Sequence, residues 1–353
     1  MSASSIAVPA ALLEWYDDHA RDLPWRARPG APPPDPYRVW LSEVMLQQTT
    51  VAAVIPYFER FTARWPTVGD LAEADDAEVM AAWAGLGYYA RARNLLACAR
   101  AVAARGGEFP DTEAALRELP GLGAYTAAAV AAIALGQRAV VVDANVERVV
   151  ARLFVIDESL PGARKAIREK ADTITPVARS GDFAQAMMDL GARVCTSRAP
   201  ACLVCPLSAH CEARSSGEPE RYPVKAPKKA KPVRKGRAYW IERNETVWLV
   251  RRPDKGMLAS MRALPDDGWS ARGDGSGHMP RDGEWLSAGT VQHTFTHFTL
   301  ELQVLVWRGG ECSDPAGPTG EWWPAGQIEQ AGLPTLFGKA ARLVLAQKED
   351  AGS

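Results

Sequence analysis

The sequence predicts a mainly α-helical region followed by a smaller α+β domain, and three observations carry that prediction. Residues 119–149 read LPGLGAYTAAAVAAIALGQRAVVVDANVERV, a Pro-Gly-x-Gly turn opening into an alanine-rich run. Four of the six cysteines crowd into residues 195–211. The stretch 221–237, RYPVKAPKKAKPVRKGR, holds eight basic residues, no acidic ones and three prolines, and beyond it the helical pattern gives way to alternation. The expected divisions are a helical region 1–220, a basic linker 221–236 and a strand-rich domain 237–348.

Composition narrows the field. Of 353 residues, 47% are hydrophobic and 24% charged, which describes a globular chain with room for two or three cores. No apolar run reaches membrane-spanning length, and the N-terminus lacks the basic-then-apolar pattern of an export signal. An intracellular, cytoplasmic protein with no membrane partner is expected. The net charge of -1 excludes a generally basic coat for nucleic acid and confines any such surface to a patch. Cys98 and Cys312 stand apart from the other cysteines, a distribution suited to a metal site in a reducing compartment rather than a disulfide framework.

Taken in order, residues 10–22 have the spacing of an amphipathic helix ending at Leu23-Pro24-Trp25-Arg26. A proline-rich loop from Pro29 to Pro36 closes on Asp35-Pro36, an N-cap and first-turn pair for the next helix. There Tyr37, Trp40, Leu41, Val44 and Met45 form one stripe, and Glu43 falls off it. By pattern alone Glu43 is a solvated surface residue. Helices are expected at 51–64 and 76–84, the second running into Gly85-Leu86-Gly87-Tyr88-Tyr89, which by itself reads as an aromatic corner. Arg91, Arg93, Arg100 and Arg105 then read as a solvated helical face.

Residues 112–118 and the run from Tyr125 form two helices joined by a turn whose Gly121 and Gly123 admit left-handed dihedrals and close approach. The free N–H groups of the second helix suit a phosphate. The pair reads as a helix-hairpin-helix, which grips a nucleic-acid backbone without reading bases. Helices follow at 162–178 and 181–192; in the second, Gln185 and Asp189 share a face and Met187 and Met188 read as core. Cys195, Cys202, Cys205 and Cys211 could hold tetrahedral zinc or a [4Fe–4S] cluster, and spacing leaves both open. In the C-terminal domain, 238–250 suggest a hairpin turning near Asn244, and a Gly-rich loop at 266–289 is expected to be mobile. Leu300, Leu302, Val304 and Val306 alternate with polar residues as in a half-buried strand.

LPGLGAYTA, VDANVERV and the cysteine intervals x6-x2-x5 together resemble the endonuclease III superfamily of DNA glycosylases. WLSEVMLQQTTV and GLGYY resemble, more narrowly, its MutY-type adenine glycosylases, strongly over about residues 12–212 and more loosely over 235–345. The resemblance implies a helix-hairpin-helix glycosylase fold with an iron–sulfur loop, plus a C-terminal α+β Nudix-like domain. It makes Glu43 the general acid of a base pocket lined by Leu46 and Val51, with Leu23, Trp25 and Arg26 on another side. Gln47, Gln48 and Thr49 belong to the DNA-contacting set, the last two entering the duplex. Leu86 and Tyr88, either side of Gly87, wedge at the lesion pair. Gln185 and Asp189 contact the adenine or orient its pocket. The four cysteines hold a [4Fe–4S] cluster that staples the loop bearing Arg198 against DNA. Phe295-Thr296-His297 matches the loop that senses 8-oxoguanine, with Thr where the family usually has Ser. The carboxylate box of Nudix hydrolases is missing from this stretch, so pyrophosphate hydrolysis is not expected.

Releasing a base needs a protonated leaving group and a carboxylate beside the sugar cation. Glu43, desolvated and raised in pKa, is expected to protonate N7. Asp143 is expected to stay ionised at its helix N-terminus and to stabilise the oxocarbenium ion or attack C1′, with Asn145 and Tyr125 positioning both groups. The adenine must first leave the stack. Bifunctional relatives read PGVGRKTA, and Tyr125 stands here in place of their lysine, so little strand cleavage is expected. The substrate implied is double-stranded DNA with adenine opposite 8-oxoguanine or guanine, acted on by a monomer. Two other classes compete. A non-catalytic damaged-DNA-binding protein of this fold leaves Glu43 and Asp143 without use, and an electron-transfer iron–sulfur protein leaves the hairpin and sensing loop without use.

Overall fold

In the computed structural model, which describes residues 3–227, 230–253, 256–258, 260–308 and 319–352, the chain forms two compact units, Met1–Pro227 and Lys228–Ser353. The first is helical: α1 (Ala3–His19), α2 (Pro36–Leu46), α3 (Val51–Arg64), α4 (Val68–Glu73), α5 (Asp76–Trp83), α6 (Ala90–Ala103), α7 (Glu113–Leu116), α8 (Ala124–Ile133), α9 (Ala144–Leu153), α10 (Arg164–Ile174), α11 (Ser180–Arg193) and α12 (Glu212–Ser215). Side-chain caps start many of them. Asp35 accepts from Tyr37 N at 2.7 Å before α2, and Thr67 and Asp70 form a reciprocal box at α4. Each such cap contributes about 1 kcal/mol.

Helices α2 and α8 run through the middle of this unit. Residues Val39 to Met45 of α2 and Thr126 to Ile133 of α8 are all buried. Alanine permits this in α8, because small side chains on every face let α2, α7 and α11 approach it. Gly191 plays the same part between α9 and α11: a Cβ there would lie 2.6 Å from the Cβ of Asn145.

Several expected boundaries move. The first helix spans Ala3–His19 rather than 10–22: Arg21 N turns to Asp189 Oδ2 at 3.2 Å, and beyond it Pro24 disfavours a helical residue at Leu23. The first hairpin helix is short, α7 closing at Leu116 rather than 118. Pro176 ends α10 at Ile174 rather than 178 for the same steric reason. Helix α4 was not anticipated; its six residues are too few to show a period.

The second unit holds β1 (Val233–Trp240), β2 (Glu242–Arg243), β3 (Thr246–Arg251), β4 (Arg262–Ala263), β5 (Glu284–Thr294), β6 (Thr299–Arg308), β7 (Gly320–Pro324) and helix α13 (Thr335–Gly352). One sheet runs β1-β6-β5, with β1 parallel and β5 antiparallel to β6. The other runs β2-β3-β4, with β7 also paired to β3. Asn244 and Glu245, both left-handed at φ 46° and 59°, make the two-residue turn between β2 and β3. The expected hairpin is thus shorter, since residues 238–240 belong to β1 in the other sheet. Part of the expected linker, residues 233–236, is likewise strand β1.

The Gly-rich segment also differs from expectation. Its end, from Glu284, is strand β5. Before that, Asp267 orders the loop by accepting from Arg237 N and Gly277 N, at 3.0 and 3.2 Å. Leu300, Leu302 and Val304 are buried as the alternation requires, but then Leu305 and Trp307 are buried while Val306 is only half-buried. That change lies opposite the bulge between Ser287 and Gly289.

Candidate active site

A cavity of about 730 Å³ opens in the helical unit. Leu23, Trp25, Arg26, Glu43, Leu46, Gln47, Gln48, Thr49, Val51, Tyr125, Asp143, Asn145 and Gln185 all line it. They come from α2 and the turn after it, the start of α3, α8, α9, α11 and the segment following α1. Trp25 serves as wall and as packing, its ring edge-on to Phe58 at 5.2 Å.

Glu43 is only 6% exposed, so the surface position suggested by its place off the apolar stripe is overturned. The stripe assumes a helix with one solvated side. Helix α2 has none along Val39–Met45, being packed on α3, α6 and α8. Burial pushes the Glu43 carboxyl up to about 7; the hydroxyl of Tyr125, donating to Oε2 at 2.6 Å, pulls it down, and the nearby Asp143 carboxylate raises it further.

Asp143 caps α9, accepting from Val146 N at 2.7 Å and Asn145 Nδ2 at 2.9 Å. Burial nonetheless raises its pKa, against the opposing pull of those donors. The cap at the helix N-terminus does not by itself hold Asp143 ionised: desolvation outweighs the donors, which limit the rise. Asp143 has backbone and amide donors where Glu43 has one hydroxyl, so a proton shared between the two carboxyls rests on Glu43.

Asp189 does not line the cavity. Its carboxylate is fully buried and is held by Arg26 at 2.8 and 3.0 Å and by Arg21 Nε at 2.6 Å. Those contacts hold Asp189 below the usual carboxylate range despite its burial, and it acts on the cavity through Arg26 and Arg21, which both line it. Gln185 stays at the wall, its amide 3.4 Å from Gly181 O. Met187 is core, whereas Met188 reaches the cavity lining.

The GLGYY turn splits in two. Tyr88 is 58% exposed with φ 50°, whereas Leu86 is 6% exposed and packed inward. Arg91 is buried too, contrary to a solvated face, because its guanidinium is consumed by carbonyls of α2 and of this turn. In the hairpin, Gly121 is left-handed at φ 76° and a Cβ would lie 2.7 Å from that of Asn94. Gly123 instead caps α8 at φ −79°, a conformation open to any residue, with free space beside it. Leu86, Gly87, Tyr88, Gly121 and Gly123 all lie outside the cavity lining.

Sequence reasoning missed some of the wall. Arg21, Ser42, Arg164, Arg168 and Glu147 line the cavity, with Arg164 Nε paired to Glu147 at 2.9 Å. The two partners sit on different helices, and no local pattern joins them. It missed two further arginines on α9. Arg148 donates to Asn145 Oδ1 at 2.9 Å and to Cys195 O at 2.7 Å. Arg152, fully buried, donates to Cys195 Sγ at 3.3 Å and to Thr196 O at 2.7 Å. Their i, i+4 spacing was the available signal.

Cys195, Cys202, Cys205 and Cys211 line one pocket together with Arg152. Among the described residues, no three His, Cys, Asp or Glu side chains gather closely enough to hold a single metal ion. Cys98 is buried in α6, and Cys312 lies outside the described residues. In the strand unit, Phe295, Thr296 and His297 form the tip between β5 and β6. Phe295 N donates to Phe298 O at 2.8 Å and the two rings stack at 4.8 Å, leaving Thr296 and His297 exposed.

Residues 41–176 match the model of the HhH-GPD superfamily base excision DNA repair proteins, and residues 237–343 match a NUDIX domain. The adenine DNA glycosylase of Homo sapiens is 34% identical over 412 residues, covering 98% of this chain and 75% of its own. That of Mycolicibacterium smegmatis is 44% identical over 212 residues, covering 60% of this chain and 71% of its own. Among solved structures, a thermostable thymine-DNA glycosylase aligns at a TM-score of 0.55 and 31% identity, over 60% of this chain and 97% of that one.

Proposed function

The chain belongs to the adenine DNA glycosylase family, within the helix-hairpin-helix base-excision superfamily, and from that premise we propose that it removes adenine paired with 8-oxoguanine or guanine in duplex DNA. It is a DNA glycosylase acting on N-glycosyl bonds. The observation that carries the finer reading is a buried Glu43 with its carboxyl raised to about 7, sharing one cavity with Asp143.

An adenine turned out of the stack enters between Trp25, Leu46 and Val51. Glu43, protonated near neutrality, gives its proton to N7 as the N-glycosidic bond lengthens. Electrons of that bond leave with the base, and the sugar becomes an oxocarbenium ion. The Asp143 carboxylate, aimed by Val146 N and Asn145 Nδ2, stabilises the cation or closes on C1′ until water replaces it. Tyr125 orients the acid through its 2.6 Å hydrogen bond. With a phenol in place of an amine on α8, there is no Schiff base and little strand cleavage.

The four thiols of the 195–211 loop fit a [4Fe–4S] cluster: four sulfur donors line one pocket, and Arg152 already donates to one of them. When bound, such a group would supply four-point cross-linking of the loop bearing Arg198. Phe295, Thr296 and His297 are proposed to meet the 8-oxoguanine opposite the excised base, from a domain of Nudix likeness that serves recognition. The enzyme is proposed to act as an intracellular monomer.

Single-turnover reaction of a duplex carrying adenine opposite 8-oxoguanine tests this, read with and without alkali. Strand breaks should appear only after alkali, and Glu43→Gln should slow them by about 10²–10⁴-fold. Breaks without alkali would overturn the monofunctional assignment, and tight binding without base release would favour a damage-binding protein.

A further inference from the structure

Arg91 is 9% exposed and joins three pieces of chain. Nη1 donates to Val44 O and Met45 O, both at 2.9 Å, in the last turn of the helix that carries Glu43. Nη2 donates to Thr49 Oγ1 at 3.2 Å and to Leu86 O at 3.1 Å. The guanidinium also lies over the rings of Trp83 and Tyr88, at 5.2 and 5.6 Å. Its Nε has no acceptor among the described residues. A cation withdrawn from water with one donor unused is a costly way merely to fill a core.

What the fork holds is unusual. Gln48 and Tyr88 are both left-handed, at φ 59° and 50°, and non-glycine residues in that region persist only where their surroundings fix them. Gln48 lines the active cavity, whereas Tyr88 projects an exposed ring away from that lining. An exposed ring on a fixed turn suits insertion between unstacked bases. Among the described residues, Arg91 is the one side chain that bonds the Thr49 turn, the Tyr88 turn and the end of α2 together.

We infer that Arg91 is a positioning residue that locks the Gln48–Thr49 turn and the Leu86–Tyr88 turn to the end of α2, so that entry of Tyr88 into the duplex and placement of Glu43 occur as one event. The inference rests on the excision activity proposed above. Lysine cannot reproduce it, since a single ammonium replaces a planar fork that reaches carbonyls on either side.

The test uses the full-length protein and a duplex with adenine opposite 8-oxoguanine, with a fluorescent 2-aminopurine flanking the adenine. Arg91→Lys should lower the fluorescence rise that reports unstacking and slow single-turnover excision together, by about 10²-fold, as expected for a reacting group displaced by an ångström. The amplitude of excision, which counts active enzyme, should remain that of wild type. Combined with Tyr88→Ala, the losses should fall short of multiplicative, because both changes break one device. Should Arg91→Lys fail to fold, Thr49→Val removes a single acceptor of the fork and should still slow both signals in parallel. A loss of amplitude with an unchanged rate would reduce Arg91 to a structural role and overturn the inference. So would multiplicative losses, or slower excision with normal unstacking. Absence of excision by the wild type would instead overturn the proposed function.

Discussion

The cavity around Glu43 and the tip at Phe295–His297, both proposed to meet a nucleobase, are built in opposite ways. Around Glu43, buried α2 and α8 enclose the carboxyl, and Asp143, Tyr125, Asn145 and Arg26 are each held by a named partner. At the tip, two of three residues are exposed and only Phe295 is anchored, by Phe298, His293 and Trp269. Enclosure alters what a carboxyl can do, because the charged form loses its water. Exposure leaves side chains with ordinary chemistry, useful for contact and preference. Catalytic rate should therefore depend steeply on the first region and substrate choice gently on the second.

Glu43→Gln presses this contrast hardest, with the loss of about 10²–10⁴-fold in excision given above. Next comes Asp189→Asn, which leaves Arg26 and Arg21 without their charge partner. It should cost about 3–5 kcal/mol of stability, measured by denaturant unfolding, while a loss below about 1 kcal/mol would show that the enclosed network is loosely built. A smaller effect concerns stability against pH. The folded carboxyl of Glu43 sits at about 7, above its ordinary 4.5. Its neutral form therefore supports the fold fully below about 4.5, and that support is lost as pH rises through 7. Glu43→Gln should accordingly unfold less readily than wild type at pH 8, by roughly 1–3 kcal/mol, with the gap narrowing towards pH 5. Smallest is Thr296→Val at the tip. It should lower the preference for adenine opposite 8-oxoguanine over adenine opposite guanine by about 10-fold or less, with the guanine-paired rate unchanged. Equal slowing of both substrates would erase the distinction between the regions.

Much of this was legible in the chain. The caps at Asp35 and Asp143 and the strand at 299–308 follow from local pattern, since each depends on neighbours a few residues away. Glu43 was not legible by periodicity. Its α2 is covered by α3 and by α6 and α8, the last two distant in sequence, and only the resemblance of WLSEVMLQQTTV placed it in a pocket. Asp189 and Arg91 show the same limit. Each pairs across long separations, with Arg26 163 residues away and Val44 47 residues away. A helical arginine run and an i, i+4 polar pair look alike whether they meet water or a buried partner. Leu86 and Tyr88 are separated by left-handed Gly87, and Tyr88 is itself left-handed, which spacing does not reveal.

The central claim is that burial keeps Glu43 protonated near neutral pH. The direct measurement is the pH dependence of single-turnover adenine excision by wild type and Tyr125→Phe. Wild type should lose activity as pH rises through about 7. In Tyr125→Phe, removal of the hydrogen bond that holds the carboxyl down should move that limb to higher pH. A wild-type rate that stays flat to pH 9, or a limb that moves downward in Tyr125→Phe, would contradict the account.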